Sequence, residues 1–107
     1  MVLQSAAYKG KVEVIQLLLD KRADVNAQGE DSGNALQAAA CRGNIEAIRL
    51  LLDNGADANA QGGKYGNVLQ AAAQNGNLEA VRLLLDKGAN SSARMAMQYQ
   101  LQHIGER

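Results

Sequence analysis

Few residues of this chain have the type and spacing to do chemistry. The one histidine, His103, stands near the C-terminus with no second histidine and no cysteine beside it, so it reads as a solvated side chain rather than a ligand or a base. The one cysteine, Cys41, precedes Arg42 and has no histidine near it in sequence, so it reads as a plain, semi-exposed thiol. A single cysteine cannot form an internal disulfide, and a reducing compartment is therefore expected: the cytoplasm, with the nucleus as the alternative. The run Gly62–Gly66, GGKYG, has the composition of a phosphate loop but not the G-x-x-x-x-G-K-[ST] spacing that cradles phosphates. Glu13, Glu46 and Glu79 recur at one place, as do Arg49 and Arg82. They read as structural, able to pair along or between units at a few tenths of a kcal/mol each. No catalytic constellation, cofactor box or metal-ligand set emerges, and a non-catalytic chain without cofactor or metal is expected.

What does recur is a whole segment. Gly33–Asp57 matches Gly66–Asn90 at 18 of 25 positions when the two are offset by 33 residues, and the same offset relates Leu3–Gly29 to Leu36–Gly62. A fixed period of this size is the signature of a solenoid, in which each unit leans on the next. Three copies are read, at about 1–32, 33–65 and 66–94, followed by a tail over 95–107, all within one domain.

The unit can be built from its residues. Asn34 is a good helix N-cap, and Gln37 three residues later can reach back to it as in a capping box. Ala38, Ala39 and Ala40 follow, a helix-favouring run small enough to let a neighbouring helix approach closely. Gly43 breaks this helix, and Asn44 is expected to cap a second one. Its apolar residues, Ile45, Ile48, Leu51 and Leu52 with Ala47 beside them, fall in an i, i+3, i+4 stripe. Gly55 stands where a left-handed C-cap belongs. The stretch after it is rich in Gly, Asn and Asp, without helical period, and reads as an extended turn or hairpin. Helices of about ten residues are marginal alone, and each Leu or Ile contributes roughly 1.5–3 kcal/mol only when fully buried. The copies must therefore stack, and the fold class is an all-α solenoid of helix-turn-helix units with projecting loops.

The pattern G-[NV]-x-LQ-AA…GN-x-E-A-[IV]-R-LLL-D-x-GA-[DN] resembles the ankyrin repeat, over about 90 of the 107 residues. One feature departs from it. The Thr-Pro-Leu-His opening usual in that family is here Asn34-Ala35-Leu36-Gln37 and Asn67-Val68-Leu69-Gln70. Capping passes from Thr to Asn, and the loop hydrogen bonds that His organises must be made another way. Asn26 and Asn59 resemble positions hydroxylated in ankyrin repeats, although a loop hydrogen bond is the plainer role. The resemblance implies a protein-binding scaffold that grips a protein or peptide on a concave face made by the ends of the first helices and the loop tips. The positions there that change chemistry from copy to copy are Tyr8, Cys41 and Gln74, then Lys9, Arg42 and Asn75, and at the loop tips Glu30 and Asp31 against Lys64 and Tyr65. Tyr8 and Tyr65 are the expected anchors, since aromatics and Arg are favoured at hot spots.

Composition agrees with thin aliphatic layers: the chain has no Pro, Trp or Phe and only three Tyr. Eleven basic residues balance eleven acidic ones, which argues against a nucleic-acid footprint, and no apolar run has the length of a membrane span. The chain opens within the first helix, so the other reading is an architectural or regulatory segment cut from the repeat array of a larger signalling protein. That open first helix is also expected to allow weak self-association. The first copy carries Lys11 in place of the second cap and Arg22 in place of the C-cap glycine, where a left-handed backbone costs a non-glycine residue about 1 kcal/mol. In the tail, Met97, Leu101 and Ile104 lie at helical spacing, and a short capping helix is preferred to a disordered end.

Overall fold

The computed structural model describes residues 2–29, 33–63 and 66–87; the tail and the loop tips fall outside these. The described residues form six helices in order: α1 (Val2–Lys9), α2 (Val12–Asp20), α3 (Ala35–Arg42), α4 (Ile45–Asp53), α5 (Val68–Asn75) and α6 (Leu78–Asp86). They form three antiparallel pairs in two layers, with α1, α3 and α5 side by side in one layer and α2, α4 and α6 in the other. The first layer is packed more closely than the second. Its helices carry alanine where the others carry leucine, and small side chains let backbones approach.

Burial follows position in the stack. The central helix α3 has Ala35, Leu36, Ala38, Ala39 and Ala40 fully buried, because it is covered on both sides. In the second layer the apolar stripe turns inward, with Ile15, Ile48, Leu51 and Leu84 at 0 % exposure. Ala47 joins it, while Ile45 and Leu52 are half-buried and pack at its border.

Local rules govern the helix ends. The Asn34 side chain accepts from the Gln37 amide at 2.8 Å, and the Gln37 side chain accepts from the Asn34 amide at 2.8 Å, closing the capping box. Asn67 accepts from the Gln70 amide in the same way. Gly43 and Gly76 end α3 and α5 in the left-handed region. Arg22, which stands 33 residues before Gly55, is forced into that region at φ 67°. Lys11 gives α2 no side-chain cap.

Asn44 does not cap α4, contrary to what its position predicts. Its amide instead donates to the carbonyls of Ala7 (3.1 Å) and Tyr8 (3.2 Å) at the end of α1. A carbonyl at a helix C-terminus has no partner within its helix, so the neighbouring unit's Asn is used where it satisfies two of them. Asn77 does both jobs, accepting from the Ala80 amide and donating to the Gly43 carbonyl.

One backbone bond closes the base of each loop. The Gly29 amide donates to the Gly33 carbonyl at 2.7 Å, and the Gly62 amide to the Gly66 carbonyl at 2.8 Å. Two glutamines tie helix to loop: Gln4 donates to Ala27, and the buried Gln37 donates to Gly62 (3.0 Å) and Gly66 (3.3 Å). Among the described residues none of the outer-helix charges, Glu13, Glu46, Glu79, Arg49 or Arg82, has an ion-pair partner. Long exposed side chains lose entropy in pairing, and little is gained in water.

Candidate functional site

The C-terminal ends of α1, α3 and α5 lie in one row because the helices stack in register. Each end carries two residues from the variable positions: Tyr8 and Lys9, Cys41 and Arg42, Gln74 and Asn75. Lys9, Arg42, Gln74 and Asn75 are exposed, and Tyr8 is 41 % exposed. Cys41 differs from the rest: it is half-buried and packs against the core cluster. Glu30, Asp31, Lys64 and Tyr65 lie outside the described residues, as do His103 and the middle of the GGKYG run.

Within the row the structure brings together two residues from different units. The Arg42 guanidinium sits over the Tyr8 ring, 4.9 Å from its centroid. A cation over an aromatic face is attracted by the ring quadrupole, and the contact holds a long side chain in one place. Sequence spacing alone, 34 residues, could not show this pair. The 33-residue register aligns Arg42 with Lys9, and the side chain crosses diagonally to the preceding position. At the other end of the row, Asn75 lies close over Gly43, whose missing Cβ leaves room for it.

Among the described residues no group of three or more His, Cys, Asp or Glu side chains could hold a metal ion, and no helix is long and apolar enough to cross a membrane. The Asn26 side chain is engaged between units, donating to the Gly55 carbonyl at 3.2 Å and accepting from the Asp57 amide at 2.6 Å. Asn59 is also engaged.

The family profile for ankyrin repeats matches residues 2–95, in three copies. The chain belongs to the ankyrin repeat family. Among curated proteins none matches it. Ankyrin repeats are generally protein–protein interaction modules and typically non-catalytic. In ankyrin terms α1, α3 and α5 are the inner helices and α2, α4 and α6 the outer ones. The row of inner-helix ends is thus one part of the described surface where copies differ in chemistry while their packing positions stay alike.

Proposed function

We propose that this ankyrin domain is a non-catalytic scaffold that holds a protein or peptide partner on its concave face, in the cytoplasm or nucleus. The contact residues are Tyr8, Lys9, Cys41, Arg42, Gln74 and Asn75 on the inner helices, with Glu30, Asp31, Lys64 and Tyr65 at the loop tips. The observation that carries the reading is the Tyr8–Arg42 pair, a part-exposed aromatic and a stacked arginine held at the surface by two different units. Both residue types are enriched where binding energy concentrates, and neither is needed to pack the core. Cys41 contributes at the margin, through the part of its surface left open. The test is a pull-down with the chain as bait beside a variant carrying alanine at Tyr8, Arg42, Lys64 and Tyr65. Loss of specific partners from the variant supports the reading, and retention of every partner overturns it.

A second reading, an architectural segment that stacks with other helical layers, has its own observation. The outward face of α1 and α2 has a shallow groove lined by Val2, Ser5, Ala6, Lys11 and Val14. Val2 and Val14 are exposed, yet their 33-residue equivalents Ala35 and Ala47 are fully buried. A face of this make-up takes another layer, and in solution a second copy is the layer at hand. Weak, concentration-dependent association in sedimentation is expected; a strictly monomeric mass at high concentration counts against it.

A further inference from the structure

Charge is divided between the two layers of helices. The inner helices and the turns that follow them, Gly10–Lys11, Gly43–Asn44 and Gly76–Asn77, contain Lys9, Lys11 and Arg42 and not one Asp or Glu. The outer helices contain Glu13, Asp20, Glu46, Asp53, Glu79 and Asp86 against Arg49 and Arg82. The overall balance of zero thus hides an inner layer of one sign and an outer layer of the other. Among the described residues Lys9 and Arg42 have no carboxylate within ion-pair distance, so their charge is left for something else.

Arg42 is the better placed of the two. Its guanidinium is held over the Tyr8 ring, and none of its N–H donors is used by the described residues. A planar cation already held in place loses less freedom on binding than a free side chain, and its fork of donors matches a carboxylate in two-point contact. Lys9 stands beside Tyr8 on the same helix end and adds field of the same sign.

We propose that the inner-helix face selects an acidic, extended segment of a protein partner, with one carboxylate of that segment on the Arg42 guanidinium beside the Tyr8 ring and a second near Lys9. This rests on the reading of that face as the partner surface. A nucleic-acid strand is the poorer fit, because phosphate-backbone binding needs a longer stripe of cations than this face supplies.

The test is amide chemical-shift mapping at low salt with two synthetic peptides, one with four Glu spaced by Gly-Ser and one with Gln at the same places. The Glu peptide is expected to shift the amides of Tyr8, Lys9 and Arg42, and the Gln peptide to leave them in place. Arg42→Gln is expected to weaken the Glu peptide by about two- to five-fold, as for a solvent-facing charge pair, and added salt to weaken it further. Each variant's own spectrum reports its folding, and Lys9→Gln is the second variant should Arg42→Gln fail to fold. Equal shifts from both peptides along α1, α3 and α5 would overturn the preference for acid while leaving the inner face as a binding surface. Shifts confined to α2, α4 and α6 would overturn both. An unchanged Kd in Arg42→Gln, or tighter binding of an oligothymidylate than of the Glu peptide, would also overturn the proposal.

Discussion

Replacing Gln37 with alanine removes one side chain that holds three things. Its carbonyl oxygen accepts from the Asn34 amide, and its amide donates to the carbonyls of Gly62 and Gly66. The residue is 2 % exposed, so water does not simply take its place. A buried N–H left without a partner costs about 1–3 kcal/mol. The Gly66 carbonyl still accepts from the Gly62 amide, but the Gly62 carbonyl loses its side-chain donor, at about 1 kcal/mol or less where water reaches it. Loss of one buried methylene adds about 0.8 kcal/mol. The total is about 3 kcal/mol, or a fall in Tm of about 12 °C or more for a domain of this size. The same substitution in the other two units should cost less, for visible reasons. Gln4 is buried too but makes one such bond, to Ala27, so Gln4→Ala should cost about 2 kcal/mol, from the lost bond and one methylene. Gln70 is exposed and makes no side-chain hydrogen bond among the described residues, so Gln70→Ala should stay within about 0.5 kcal/mol. Urea unfolding followed by circular dichroism at 222 nm gives all three differences by linear extrapolation. Equal losses in the three variants, or a loss below about 1 kcal/mol for Gln37→Ala, would refute the account of the glutamine as the residue that ties helix to loop.

Three further outcomes are expected from the backbone and the clasps between units. Arg22→Gly relieves a left-handed backbone at φ 67°. It should stabilise the chain by about 0.5 kcal/mol after the added freedom of the unfolded glycine is subtracted, read as a higher urea midpoint at unchanged slope. Two glycines of positive φ should respond differently to alanine. At Gly55 nothing lies within 4 Å of the added Cβ, whereas at Gly33 it would collide with the Gln37 side-chain oxygen; thermal melts should show a loss of about 1 kcal/mol at Gly55 and more than about 2 at Gly33, where strain and the lost capping box combine. Asn44→Ala removes the bridge to the Ala7 and Tyr8 carbonyls, and should cost about 1 kcal/mol while speeding amide exchange in α1 and α2 more than in α5 and α6. Uniform exchange along the chain would show that Asn44 does not couple the first two units.

The sequence by itself determined whatever depends on neighbours along the chain. The 33-residue period, the Asn34–Gln37 capping box, the glycine helix ends and the strained Arg22 were all legible because a cap, a turn or a left-handed residue acts within three or four positions of itself. The leucine and isoleucine stripes were legible because stacking was the one way to bury them. Only the tertiary structure decided what lies across from what. Asn44 has every local mark of a cap, yet its amide turns back to the α1 carbonyls, because the stack places there two carbonyls that have no partner within their own helix. Arg42 aligns in register with Lys9 but rests on Tyr8, and no periodicity shows a side chain crossing diagonally between units. Loop tips and helix ends counted together mix Glu30 and Asp31 with Lys9, Arg42 and Lys64; once the layers are separated, the inner helices hold cations alone. Contacts between units follow from the distance and rotation of one layer on the next, quantities that no single unit's residues contain.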